Sequence, residues 1–210
     1  TEEIIKNQPK SFTIIEKDNF LFQELTQKYI NDKKITVIND DILKFNLEKI
    51  LHKNSIIFGN LPYNISSQIL IKILKFKLWP PNYNSLIFMF QKELGEKIIG
   101  KFLSPNYGRL SIITNYKLDI INKFFVSPNS FFPKPKVMSM VIKFKPKKNK
   151  NLRIYNIESL ENITNILFSN KRKMINKNIK KILSEKKVKK IKNLDLKKDL
   201  LKYGLKHITK

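Results

Sequence analysis

Over the first 100 residues, short apolar runs alternate with segments whose apolar residues recur at helical spacing. Four runs rich in β-branched and aromatic residues predict buried strands. These runs are SFTIIE at 11–16, ITVI at 35–38, SIIFG at 55–59 and SLIFMF at 85–90. This alternation is typical of parallel strands joined by helices that cover the faces of a sheet.

The segments between the strands predict helices. Asp18 is suited to cap a helix over the apolar residues at 20, 21, 25 and 30. A second helix is predicted after the turn Asn60-Leu61-Pro62-Tyr63, and a third over 91–103. One face of the second helix would hold Ile65, Ile69, Leu70, Ile73 and Leu74.

The middle of the chain predicts a cluster of strands, and the last part predicts helices only. Residues 110–126 and 137–145 are expected to supply two or three strands, separated by the proline-rich loop SPNSFFPKPK. Residues 147–153 indicate a linker, beyond which apolar residues recur at helical spacing. We therefore predict a mostly parallel α/β sheet with an antiparallel edge over 1–147, and a small α-helical domain over 148–210.

The net charge of the sequence implies an anionic partner. The 210 residues carry a net charge of +25, and 41% of them are hydrophobic, which excludes a wholly disordered polycation. Residues 147–210 contain 20 of the 42 basic residues but 5 of the 17 acidic ones. We expect nucleic acid as the partner, ahead of an acidic membrane, with the helical domain contributing most of the attraction.

Cysteine is absent and there are two histidines, so disulfides, thiolate zinc sites and a cysteine nucleophile are excluded and no metal site is expected. No apolar run approaches the ~20 residues of a membrane span, and the opening TEEIIKNQPK does not resemble a signal peptide. These features predict a soluble, cytoplasmic protein that does not bind membranes, and we expect a monomer.

Candidate chemistry lies where three predicted strands end. Glu16, Asp41 and Asn60 follow successive strands, and ligands of α/β sheets bind outside the carboxyl ends of strands. A carboxylate in the first of these positions is suited to the hydroxyls of a ribose, and one in the second to an exocyclic amine. The simpler alternative is that both acids cap the helices that follow.

Asn60-Leu61-Pro62-Tyr63 adds an amide, a rigid turn and an aromatic ring at the same edge. The amine of adenine is a poor nucleophile because its lone pair is delocalised into the ring. The amide oxygen of Asn60 and the carbonyl of Leu61 could accept its two N–H bonds while Tyr63 stacks on the base, once the base has left its own stack. The alternative is an ordinary proline turn with a packed tyrosine.

The segment FGNLPYNIS at 58–66 resembles the catalytic motif of the ribosomal RNA adenine N6-dimethyltransferases, the family linked to kasugamycin sensitivity. Further landmarks match in order: TIIEKD at 13–18, NDDILKFN at 39–46, FQKELGEKI at 90–98, YGRLSI at 107–112, VSPNSFFPKPKV at 126–137 and FSNKRKMINKNI at 168–179. The resemblance implies a Rossmann-like sheet, S-adenosylmethionine as cofactor, and no metal.

The resemblance also implies residue roles. Glu16 would bind the ribose of the cofactor, Asp41 its adenine amine, and Asn60 both the cofactor and the target amine. The implied cofactor site is Glu16, Lys17, Asp41, Ile42 and Asn60, and the implied catalytic set is Asn60, Leu61, Pro62, Tyr63 and Phe131. Phe131 would sandwich the target adenine, although Phe132 could exchange roles with it, or Phe131 could simply plug the loop. The implied RNA contacts are Lys134, Lys136, Lys171, Arg172, Lys173 and Lys177.

One departure from the family is large. Its members begin with a strand and a glycine-rich loop for the methionine part of the cofactor, whereas this sequence has five glycines and no G-x-G. We expect a central strand to be missing, which would leave its neighbours with unpaired edges and exposed apolar faces. On this hypothesis the sequence is an N-terminally truncated piece that binds S-adenosylmethionine weakly and tends to aggregate.

The resemblance implies dimethylation of two adjacent adenines in the 3′-terminal hairpin of small-subunit ribosomal RNA, within the pre-30S particle. Two alternatives remain open. One is the macrolide-resistance type of enzyme acting on large-subunit RNA, and the other is a non-catalytic RNA-binding assembly factor of the same fold.

Overall fold

A computed structural model describes residues 1–148 and 157–168. Six strands and six helices succeed one another in these two ranges, with short 3₁₀ turns at Leu47–Lys49 and Pro128–Ser130. The strands are β1 (Phe12–Glu16), β2 (Ile35–Asn39), β3 (Ser55–Asn60), β4 (Tyr83–Gln91), β5 (Leu118–Val126) and β6 (Ser139–Pro146). The helices are α1 (Glu2–Ile5), α2 (Asn19–Lys28), α3 (Ser66–Leu74), α4 (Lys92–Ile98), α5 (Arg109–Lys117) and α6 (Ile157–Phe168).

The strands form two hydrogen-bonded ladders. β1 pairs in parallel with β2, and the larger sheet has the order β3-β4-β6-β5. In that sheet β3 and β4 run parallel, while β6 runs antiparallel to both β4 and β5. This arrangement confirms the predicted α/β class with an antiparallel edge.

Within residues 1–148 and 157–168, β1 pairs only with β2, and β3 pairs only with β4. One edge of each strand is therefore left without a ladder partner. Two alternate residues of β3, Ile56 and Phe58, are 51% and 42% exposed. Unpaired edges and exposed apolar side chains are the features that the sequence predicts for strands lacking a central neighbour.

The core lies between the larger sheet and its helices. Phe88, Phe90 and Phe144 are fully buried in the sheet, and the rings of Phe90 and Phe144 meet edge to face. The predicted apolar face of α3 enters the same core, where Ile69 and Leu74 are almost completely buried. α3 starts at the residue after Ile65, so the turn that precedes it is fixed to the most buried part of the molecule.

The prediction of strands throughout 110–126 is wrong for its first half, because residues Arg109–Lys117 form α5. Several positions that α5 buries are polar: Ser111, Thr114 and Lys117. The hydroxyl of Ser111 accepts from the backbone N–H of Gly108, and Lys117 donates to the carbonyl of Leu74. Because polar residues occupy the buried face, the sequence has no apolar helical periodicity there.

The other helices follow the predictions more closely. Asp18 caps α2 by accepting from the backbone N–H of Leu21 at 3.0 Å. α4 is shorter than the predicted 91–103 and ends at Ile98. α6 confirms the helical spacing beyond the linker, while the predicted helical segments after residue 168 lie outside the described residues. No helix in the two described ranges has the length and apolar character needed to cross a membrane.

Candidate active site

The carboxyl ends of β1 and β2 bring the first two predicted acids together. Glu16 is the last residue of β1 and is paired with Asn39 of β2. The backbone carbonyl of Glu16 accepts from the N–H of Asp40, and its carboxylate Oε1 accepts from the N–H of Asp18 at 2.9 Å. The second carboxylate oxygen of Glu16 has no partner among the residues that the structure describes, so it remains available as an acceptor.

Asp41 lies beside this strand end and is held by two groups. Its Oδ1 accepts from the backbone N–H of Leu43 at 2.9 Å, and its Oδ2 accepts from the Lys17 ammonium at 2.9 Å. The hydrogen bond from Lys17 is the main reason why the pKa of Asp41 is lowered, and the bond from Leu43 adds to it. Asp41 is therefore a carboxylate held at both oxygens, and part of its acceptor capacity is used by an exposed lysine.

Lys72 of α3 supports the loop that carries Asp41, a contact that no spacing in the sequence indicates. Its ammonium donates to the backbone carbonyls of Ile42 at 2.7 Å and Phe45 at 2.6 Å. Burial lowers the pKa of Lys72, opposed by the charges of Asp41 and Asp40. The loop after β2 is thus tied to the helix that follows the Asn60-Leu61-Pro62-Tyr63 turn.

That turn begins at the carboxyl end of β3. Asn60 pairs in parallel register with Met89 of β4, its side chain is exposed, and no described residue hydrogen-bonds to its amide. The carbonyl of Pro62 accepts from the N–H of Ile65 at 3.1 Å. An amide that no described residue hydrogen-bonds, at the carboxyl end of a parallel strand, is poised to bind a ligand.

Tyr63 is fixed more firmly than its neighbours in the turn. The hydroxyl of Ser66 donates to the backbone carbonyl of Tyr63 at 3.1 Å, and the phenol oxygen of Tyr63 is 2.8 Å from Oγ of Ser139. Ser139 is the first residue of β6 and is fully buried. The structure therefore joins the turn after β3 to a strand far along the chain.

The loop that carries Phe131 begins and ends beside Ser139. Val126 ends β5 and pairs with Ser139, so residues 127–138 leave and re-enter the sheet at one point. Phe131 is half-buried whereas Phe132 is fully exposed. Lys134 and Lys136 are exposed in the same loop, and the other predicted RNA contacts, Lys171, Arg172, Lys173 and Lys177, lie outside the described residues.

The residues present suit part of S-adenosylmethionine. The free oxygen of Glu16 can accept from ribose hydroxyls, and Asp41 retains lone pairs for an adenine amine alongside the bond from Lys17. Among the described residues, none hydrogen-bonds to the amide of Asn60, so it can bind a ligand. No G-x-G in the 210 residues corresponds to a cradle for the methionine part. Glu16 and Asp41 thus suit the adenosine part of S-adenosylmethionine. Asn60 suits the amine that would accept the methyl group.

Known proteins resemble both this sequence and this fold. The chain is 43% identical over 180 residues to Ribosomal RNA small subunit methyltransferase A of Pelagibacter ubique, covering 84% of this chain and 66% of the relative. It is 36% identical over 192 residues to the protein of the same name from Malacoplasma penetrans, covering 91% of this chain and 67% of that one. The chain thus spans about two thirds of these relatives' length.

Two solved structures share the fold. A dimethyladenosine transferase from Plasmodium falciparum superimposes with a TM-score of 0.72 at 24% identity, covering 96% of this chain and 77% of that one. The 23S rRNA methyltransferase ErmE gives 0.62 at 21% identity, covering 86% and 70%. The family model described as ribosomal RNA adenine dimethylase matches residues 1–204. The chain belongs to the ribosomal RNA adenine dimethylase family.

Proposed function

We propose that this protein transfers methyl groups from S-adenosylmethionine to the N6 amines of two adjacent adenines in the 3′-terminal hairpin of small-subunit ribosomal RNA. The observation that carries the proposal is the Asn60-Leu61-Pro62-Tyr63 turn at the carboxyl end of β3, with the Asn60 amide uncommitted and Tyr63 anchored at both ends. Family membership and the two relatives named as small-subunit methyltransferases support this substrate.

The chemistry assigned to the turn is the positioning of a weak nucleophile. In the proposal the side-chain oxygen of Asn60 and the carbonyl of Leu61 accept the two N–H bonds of the target amine, which localises its lone pair. Tyr63 and Phe131 hold the flipped base from its two faces. S-adenosylmethionine, when bound, supplies an electrophilic methyl group. Fixing the amine in line with that group provides much of the rate enhancement, since no strong base is needed before transfer.

The cofactor end of the proposed site is the β1–β2 edge. Glu16 would bind the ribose, Asp41 the adenine amine, and the adjoining Lys17 and Ile42 would flank the nucleoside. Ile42 is half-buried and its carbonyl is held by Lys72, so this wall of the site is supported from α3. The remaining contact is Asn60, which in the proposal serves both ligands.

Lysines around the target pocket would bind the phosphates of the RNA. Lys134 and Lys136 are exposed on the loop that carries Phe131. We propose that they act with the basic residues of a second domain over 148–210, of which the structure describes α6. Lysine contacts to phosphates give affinity that falls with salt and little choice of sequence. Specificity in this proposal comes from the pocket and from the shape of the pre-30S particle, bound by a cytoplasmic monomer.

The test uses the full gene product and ribosomal RNA from cells that lack the gene. Dimethylated adenines stop reverse transcriptase, so restoring the gene should restore a stop at the small-subunit hairpin. Asn60→Ala should abolish that stop with little loss of RNA affinity, whereas the matched control Asn84→Ala, an exposed asparagine in β4, should retain it. A stop in large-subunit RNA instead would establish the macrolide-resistance type of reaction.

A non-catalytic RNA-binding assembly factor of the same fold is the competing function. It makes a different prediction for the same variant. If Asn60→Ala weakens RNA binding as much as it weakens methylation, or if wild-type protein rescues subunit assembly without any reverse-transcription stop, the binding role is the correct one.

A further inference from the structure

The side chain of Tyr63 meets a partner that the methylation chemistry does not require. Its phenol oxygen lies 2.8 Å from Oγ of Ser139, and either hydroxyl can be the donor. Ser139 is fully buried, and no other side-chain hydrogen bond links it to the residues that the structure describes. The serine hydroxyl is therefore committed to Tyr63.

Ser139 is itself among the most constrained positions of the sheet. It opens β6 and pairs with Gln91, the last residue of β4, and with Val126, the last residue of β5. The ends of two neighbouring strands thus hold its backbone from both sides. A buried side chain on a backbone held from both sides has little freedom, so its oxygen is a rigid anchor for the tyrosine.

The same serine terminates the loop of residues 127–138, which carries Phe131. The loop begins after Val126 and ends immediately before Ser139, so any shift of the loop's base acts directly on the partner of Tyr63. Tyr63, through its phenol, and the loop that carries Phe131, through its two ends, thus meet at one point of the sheet.

We infer that Ser139 is a positioning residue, which holds the ring of Tyr63 in the orientation that stacks on the target adenine and couples it to the Phe131 loop. The inference rests on the proposed function. The bond at the phenol oxygen and the bond from Ser66 to the backbone carbonyl restrain Tyr63 at both ends, which favours one set of side-chain torsions. The stacking surface is thereby organised before RNA binds, and the ordering is not required during catalysis.

The experiment is a double-mutant cycle in the full gene product, read out as methylation of small-subunit particles. Ser139→Ala and Tyr63→Phe each remove one hydroxyl of the pair, and each should lower kcat by about 3- to 10-fold, the range expected for one hydrogen bond. The double variant should be no slower than either single variant. KM for the particle should change by less than about twofold, because the phosphate contacts are untouched.

Two further measurements separate positioning from folding. Ser85→Ala, which alters a buried serine of the adjacent strand β4, should leave kcat unchanged. RNA carrying 2-aminopurine at the target position should be more fluorescent when bound to Ser139→Ala than when bound to wild-type protein, because a ring of Tyr63 that is not held stacks on the base and quenches it less. Thermal unfolding of Ser139→Ala within a few degrees of wild type shows that a kcat defect is not a loss of folded protein.

These measurements support or overturn the positioning role of Ser139. Multiplicative losses in the double variant, or unchanged kcat in Ser139→Ala, would overturn the positioning role while leaving methylation by wild-type protein intact. Absence of methylation by the wild type would overturn the proposed function as well. Equal changes in KM and kcat would show that Ser139 acts on RNA binding rather than on the orientation of Tyr63.

Discussion

The ammonium of Lys17 lies 2.9 Å from Oδ2 of Asp41, so an ion pair joins the residues that follow the carboxyl ends of β1 and β2. The two partners differ in freedom, because the lysine side chain is 74% exposed and the aspartate side chain 18%. The lysine neutralises the carboxylate to which we assign the adenine amine, and its exposure allows it to move aside. The pair therefore tunes a binding group without blocking it.

Removal of this lysine should raise the pKa of Asp41. In Lys17→Ala the hydrogen bond that contributes most to the lowered pKa is lost, while the bond from the Leu43 amide remains. We expect the pKa to rise towards its ordinary value of 3.8 without reaching it. Carbon-detected NMR titration of the side-chain carboxyl measures it. Lys44→Ala, which removes a weaker charge interaction, is the control and should give a smaller rise.

The same pair should make part of the stability dependent on pH. A carboxyl group whose pKa is lowered by folding adds stability above its unfolded pKa, and that contribution is lost as the pH falls through the folded pKa. The difference in unfolding free energy between wild type and Lys17→Ala should thus be constant from pH 7 to 5 and shrink at lower pH. A difference that grew on acidification would contradict the assignment.

Lys72→Met should loosen the loop after β2. The substitution keeps the aliphatic stem but leaves the carbonyls of Ile42 and Phe45 without their donor. We expect a loss of about 1–3 kcal/mol in unfolding free energy, together with weaker binding of adenosine-containing ligands. Chemical denaturation and calorimetric titration measure the two effects. Lys77→Met, at an exposed lysine three residues after α3 ends, should change neither.

Glu161 should fasten α6 to the rest of the molecule. Its carboxylate is 2.6 Å from Nζ of Lys75 and 2.5 Å from a guanidinium nitrogen of Arg109. Burial opposes ionisation, yet the two cations outweigh it and lower the pKa of Glu161. Glu161→Gln should cost about 1 kcal/mol, a modest value because both cations are partly exposed.

This contribution of Glu161 should be present above pH ~4.5 and disappear as the pH falls through the lowered pKa. Thermal unfolding of wild type and Glu161→Gln at pH 7 and pH 3 tests it, with Glu24→Gln in the exposed face of α2 as the control. Equal destabilisation by Glu161→Gln at both pH values would show that the ion pairs are not its cause.

Two glycines should respond differently to alanine. A Cβ at Gly59 would lie 2.5 Å from Cδ2 of Leu61, whose side chain can move, whereas a Cβ at Gly100 would collide with the backbone oxygen of Asn106. Gly59→Ala should therefore lower methylation more than stability, because it displaces a residue of the turn. Gly100→Ala should lower the melting temperature strongly. Comparison of initial rates and melting curves distinguishes them.

The sequence predicted the strands well because their apolar runs are short, bounded and rich in β-branched residues. It placed Asp18 as a helix cap because the capping interaction is local. It failed over Arg109–Lys117, where the buried face of α5 carries the polar residues Ser111, Thr114 and Lys117, so that apolar residues do not recur at helical spacing. It also gave no sign of Lys72, since a lysine that donates to two distant carbonyls is indistinguishable in sequence from a surface lysine.

By itself, the sequence determined the alternation of β1 to β4 with α2, α3 and α4, and the polar residues Glu16, Asp41 and Asn60 at or just after the ends of β1, β2 and β3, because periodicity and turn residues act over a few positions. It also identified the family through motifs in a fixed order. Only the tertiary structure decided what those residues touch. Tyr63 and Ser139 are 76 positions apart and meet because β6 lies between β4 and β5. Contacts of that kind depend on strand order and burial, which no local spacing encodes.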